Sequence, residues 1–131
     1  DGVLDLFHAP FHVALVARVV GKMHRFAEVQ EYARSKYKLA DDRDNSFKLV
    51  FEYQNKRLQA VIVSRFEALN RDWCDFASAC CKLDQMNPEV ALRKNFQFAV
   101  GALCLDRDTY IVRYSVQMAT IEAAAPHPPR R

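Results

Sequence analysis

Alternation of apolar and polar side chains is the clearest pattern in this chain. Phe47, Leu49, Phe51 and Tyr53 alternate with Lys48, Val50 and Glu52, which predicts a strand over Phe47–Tyr53. Gln54-Asn55-Lys56 reads as a turn, and Arg57–Phe66 as the returning strand. In that strand Leu58, Ala60, Ile62 and Ser64 share one side, and Gln59, Val61, Val63 and Arg65 share the other. The two valines make the second side partly apolar. The pattern therefore predicts a sheet that is covered, or met by a partner, on much of both faces.

Glu67–Asp72 is a polar connection, and Asp72–Leu83 then fits two templates. Trp73, Phe76, Ala77 and Cys80 suit a helix, whereas Cys74, Phe76, Ser78 and Cys80 alternate as a strand would. The strand is preferred because it completes a meander. It sends Trp73 and Phe76 to opposite faces.

Further on, Asn87 is a helix cap, Pro88 suits the first helical position and Glu89 complements the N-terminal dipole. This short helix should fade near Phe98. Two strands follow, Ala99–Leu105 and Thr109–Gln117, joined through Asp106-Arg107-Asp108. Tyr110, Val112, Tyr114 and Val116 are expected on one face of the hairpin, with Ile111, Arg113, Ser115 and Gln117 on the other.

Helical periodicity is strongest near the N-terminus. Phe26, Val29, Ala33 and Tyr37 line one side of a helix over Arg25–Lys36. Before it, Phe11, Leu15, Val19 and Met23 recur at spacing four, although the valines there keep a strand open. Residues 1–9 read as an extended arm. Ala119–Ala125 is a candidate closing helix, and Pro126, Pro128 and Pro129 end it, leaving a disordered tail. The expected organisation is an arm and helix over 1–24, an α+β domain over 25–125 and the tail over 126–131.

Composition excludes more than it identifies. A chain of 131 residues, half of them hydrophobic, fits one domain with a real core. The net charge of +3 is dispersed, with Arg43 among Asp41, Asp42 and Asp44 and Arg107 between Asp106 and Asp108. No basic stripe interleaved with aromatics is present, so nucleic acid is not an expected partner. Phe11–Val20 is too short and too polar to span a bilayer, and no membrane partner is expected. The chain starts at Asp1, without a Met or a secretion-type leader, and targeting is not read from it.

Candidate chemistry is sparse. Three glycines offer no phosphate-cradling loop, and Gly101 marks a bulge or a close backbone approach. His8 and His12 have the spacing of a helical metal pair, but Pro10 separates them and no third ligand follows at matching spacing. The acidic run at Asp41–Asp44 lacks the glycine and glutamate of a calcium loop, and Asp106 and Asp108 suit turn geometry. Cys74, Cys80, Cys81 and Cys104 form no C-x-x-C pair and read as core or sheet thiols, with zinc or a disulfide as the alternatives. Adjacent Cys80 and Cys81 should point to opposite faces of a strand. Reduced thiols suit a cytoplasmic setting.

The element order, a helix, a three-stranded meander, a helix, a hairpin and a closing helix, resembles the type III secretion chaperone-like fold. It is similar also to the YbjN-like family of bacterial sensory-transduction regulators. The best local match is Ala91–Met118, where Asn95, Gly101, Ala102, Asp106, Asp108 and the run from Tyr110 to Val116 occupy the family's places. The resemblance implies a secretion chaperone-like α+β fold and a non-catalytic protein-binding role without a cofactor. It leaves room for the same fold as an interaction or regulatory domain of a larger protein. Excess apolar side chains on both sheet faces predict a homodimer, or a bound protein client or neighbouring domain. Val61, Val63, Trp73 and Phe76 are the expected protein-interface residues. The rivals are a cysteine-based redox sensor or enzyme built on Cys80 or Cys81, and a structural domain of a larger protein.

Overall fold

Among the described residues the meander and the C-terminal hairpin belong to a single antiparallel sheet of six strands. The computed structural model describes residues 18–52, 58–98 and 101–119. In chain order the elements are α1 (Phe26–Lys36), β1 (Leu39–Ala40), β2 (Ser46–Glu52), β3 (Leu58–Ala68) and β4 (Arg71–Lys82). A 3-10 turn at Leu83–Gln85, α2 (Pro88–Asn95), β5 (Ala102–Asp106) and β6 (Thr109–Gln117) follow. The strand order is β1-β2-β3-β4-β6-β5, so the chain is α+β with a sheet larger than the expected meander. Asp72–Leu83 resolves as the strand β4, one residue displaced.

Capping marks the start of α2, whereas α1 forms on its apolar periodicity without a side-chain cap. The side chain of Asn87 accepts from the Glu89 N–H at 2.8 Å, Pro88 fills the first helical position, and Arg93 and Lys94 face the C-terminal end of the dipole. In α1 the buried residues are Phe26, Val29, Gln30 and Ala33, one stripe of a 3.6-residue period.

Connections are tighter than the polar run Glu67–Asp72 suggests. β3 continues to Ala68 opposite Arg71, leaving Leu69-Asn70 as a two-residue turn with φ of 55° and 59°. Positive φ at both centres matches the twist of the flanking strands, which is why so short a turn works. In the last hairpin Asp106 pairs with Thr109, so Arg107-Asp108 alone makes the turn. Gly101 lies just before β5 at φ +83°, where an added Cβ would stand 3.1 Å from the Arg113 carbonyl oxygen. A close backbone approach thus explains that glycine.

The core lies on one face of the sheet. Pairs such as Phe47↔Val63 and Leu49↔Val61 set these side chains together under α1. Phe26, Val29, Ala33, Cys74, Phe76 and Met118 complete that core, with Val20 contributed by the short helical end at Arg18–Val20. The Phe26 and Phe47 rings lie 5.6 Å apart. A smaller core of Ala91, Leu103, Tyr110 and Val112 seats α2 on the same face. The Tyr110 hydroxyl donates to the Met86 carbonyl at 2.8 Å and ties β6 to the segment leading into α2.

Several expectations fall on other ground. The stripe from Phe11 lies outside the described residues except at its end. So do the arm, the turn at Gln54–Lys56, Ala99 and the tail over 126–131. Ala119 is not helical, and the rest of the candidate closing helix lies outside the described residues.

Candidate functional site

Three of the four expected interface residues belong to the core. Val61 is 2% exposed, Val63 0% and Phe76 1%. The physical reason is register: the valines stand opposite Leu49 and Phe47, and cross-strand partners share a face. Their side is therefore the covered one, and the opposite side, with Leu58, Ala60 and Ile62, is open among the described residues. Trp73 alone of the four is on that open face, opposite Phe66.

Trp73 is half-buried there in a polar–aromatic network. Its ring stacks on Phe66 at 6.1 Å and 14°, and its indole N–H donates to the Ala68 carbonyl at 2.9 Å. The Arg113 guanidinium lies 5.6 Å from the Phe66 ring centroid, while its Nε donates to Asp75 at 2.7 Å. Ser115 donates to the same Asp75 oxygen at 2.7 Å. Asp75 is a buried carboxylate whose charge is matched by the Arg113 guanidinium, with Ser115 adding a neutral hydrogen bond. The network holds Trp73 and Arg113, residue types that often anchor protein contacts, in fixed positions.

Beside this network the sheet opens. The β3–β4 register runs from Ala68↔Arg71 to Ile62↔Ala77 and stops there. β4 goes on pairing with β6, and its register shifts between Ala79 and Cys81, a bulge. Side chains bridge the gap in place of the ladder. Ser78 Oγ donates to the Ala60 carbonyl at 2.7 Å, and Gln59 Nε2 donates to the Ala79 carbonyl at 2.9 Å and to Ser78 Oγ. The result is a cleft of about 350 Å³ lined by Lys48, Leu58, Gln59, Ala60, Ile62, Ala77, Ala79 and Cys80. Val50, Leu58 and Ile62 are 44%, 63% and 48% exposed on this face.

A second apolar surface, uncovered among the described residues, lies on the helix side. Leu92 is 71% exposed and Phe96 95%, one helical turn apart along α2 and its C-cap. The sequence carried this signal in the spacing of Leu92 and Phe96.

The thiols differ in environment. Cys74 is fully buried, and burial, with the nearby Asp75 charge, pushes its pKa up to about 12. Cys104 is exposed on β5. Cys80 and Cys81 do not point apart as expected, because the bulge brings their sulfurs to 3.7 Å. Among the described residues no group of three or more His, Cys, Asp or Glu side chains could hold a metal ion, and His8 and His12 lie outside them. Asp42 accepts from Arg34 Nε at 2.7 Å and from Gln30 at 3.3 Å, fastening the acidic loop to α1. Asp108 accepts from Thr109 at 3.2 Å and stands 3.8 Å from the Lys82 ammonium, a turn role. No described helix is long and apolar enough to cross a membrane.

No protein-family model, curated protein or solved structure matches this chain.

Proposed function

We propose that this chain is a non-catalytic protein-binding domain, chaperone-, adaptor- or regulator-like, that works as a homodimer. One observation carries the reading: two groups of exposed apolar side chains lie on opposite sides of the sheet. Leu92 and Phe96 stand on the helix side, and Val50, Leu58 and Ile62 stand on the open sheet face. Two separate surfaces let one molecule hold a second copy and a protein client, or a neighbouring domain, at once.

The second copy is assigned to the α2 side. A stripe of two large side chains one turn apart pairs with itself about a two-fold axis, as isologous interfaces require. The sheet face, with its cleft and the Trp73–Arg113 network, is assigned to the client, where apolar pockets and a few fixed polar groups select the partner. The order of helix, meander, helix and hairpin supports the secretion chaperone-like and YbjN-like resemblance as the finer fold reading. Four cysteines, none of them in a disulfide, support a cytoplasmic setting.

Sedimentation velocity tests the dimer. The wild-type chain should sediment as a dimer at high micromolar concentration. Phe96→Glu should be a folded monomer, and Ile62→Glu should remain a dimer. A monomeric wild type would remove the dimer from the account.

A further inference from the structure

We propose that Cys80 and Cys81 form a reversible thiol–disulfide site, oxidised by a low-molecular-weight disulfide that enters through the cleft between β3 and β4. This inference stands apart from the protein-binding reading. A regular strand sends neighbouring side chains to opposite faces. Here the register shift between Ala79 and Cys81 breaks that rule, and the two sulfurs come within 3.7 Å. Gln59 holds the Ala79 carbonyl at 2.9 Å and so fixes the strand at the start of the bulge.

Both thiols are half-buried, but they differ in their link to the cleft. Cys80 lines the cleft, whereas Cys81 stands opposite Tyr110 and is not part of the cleft lining. The order of events follows. The Cys80 thiolate attacks one sulfur of the external disulfide, the old S–S bond breaks, and one thiolate leaves and takes up a proton. Cys81 then attacks Cys80 Sγ, and the second external thiol leaves with the second proton. Two protein thiols are oxidised, and one external disulfide is reduced to two thiols. The second step is intramolecular, with the attacking sulfur already in contact. Adjacent Cα atoms are about 3.8 Å apart, below the usual disulfide span of roughly 4.4–6.8 Å, so the closed ring is strained and easily reduced. That strain makes the site reversible.

The test uses the full chain carrying Cys104→Ser, so that the exposed thiol does not contribute, with oxidised glutathione as probe and peptide mass mapping as readout. The expected product has lost two hydrogens across Cys80 and Cys81 and carries no glutathione on either. Adding Cys81→Ser should trap glutathione on Cys80. Adding Cys80→Ser should slow modification of Cys81 by about tenfold or more, since Cys81 lacks the cleft route. Phenylarsine oxide gives a second reading on the same Cys104→Ser chain without further substitution. It condenses with two neighbouring thiols and releases water, and it should resist washing with a monothiol. Stable glutathione on Cys80 with Cys81 intact, equal reactivity of Cys81 with and without Cys80, or easy wash-out of the arsenical would each overturn the proposal.

Discussion

The side-chain amide of Asn95 grips the backbone of Leu103 at both ends. Asn95 Oδ1 accepts from the Leu103 N–H at 2.6 Å, and Asn95 Nδ2 donates to the Leu103 carbonyl at 3.3 Å. Among the described residues β5 is an edge strand paired only with β6, so these two Leu103 groups face outward. One amide at the end of α2 thus takes the place of a neighbouring strand and blunts the edge. Asn95→Ala should cost about 1–3 kcal/mol by leaving two partly buried groups without partners. It should also raise concentration-dependent aggregation, seen by light scattering beside a chemical denaturation curve. An unchanged midpoint and unchanged scattering would contradict the edge role.

Neighbouring residues of β3 should respond in opposite ways. Val63→Glu would bury an unpaired charge under α1 and should cost roughly 3–5 kcal/mol, enough to unfold a marginal domain. Ile62→Glu, on the half-exposed open face, should cost about 0.5 kcal/mol. Thermal melts of the two variants check this directly, and similar losses in both would contradict the sidedness of the sheet.

That sidedness was nearly legible in the sequence. A turn at Gln54–Lys56, counted back along the two strands, already sets Phe47 opposite Val63 and Leu49 opposite Val61. Partners share a face, so the valines had to join the richer apolar row. Alternation within one strand names two faces without ranking them, and the pairing ranks them. The first helix was readable from its periodicity, the second from its Asn-Pro cap, and the meander and hairpin from alternation and turns. β1 was not, because a two-residue strand has no period. The cleft was not readable either, since it arises where β3 and β4 cease to pair. The approach of Cys80 to Cys81 depends on a bulge, and no residue of the run Ser78–Lys82 signals one.

Leu69 stores strain. It sits at φ 55° with its side chain 87% exposed, so it gains little from burial at a position that disfavours a Cβ. Leu69→Gly should stabilise the chain by about 0.5–1 kcal/mol, and Leu69→Asn should do the same more weakly. A lower melting temperature in both variants would show that Leu69 makes contacts that outweigh its backbone strain.

Acid should loosen the loop that Asp42 fastens. Its carboxyl is held below the usual carboxylate range chiefly by the hydrogen bond from Arg34, with burial opposing and Gln30 assisting. A depressed pKa means stabilisation that is complete above the unfolded value, near pH 4, and is lost as pH falls through the lower folded value. The stability gap between wild type and Asp42→Asn should therefore be constant at neutral pH and close below about pH 4. A gap that persists in strong acid would contradict this.

Hydroxyl-radical footprinting across a concentration series tests directly whether the two apolar surfaces have separate uses. As the purified chain passes from low to high micromolar, Leu92 and Phe96 should become protected together, while Leu58 and Ile62 keep their reactivity. Protection of Leu58 and Ile62 instead, or no change at either surface, would contradict that separation.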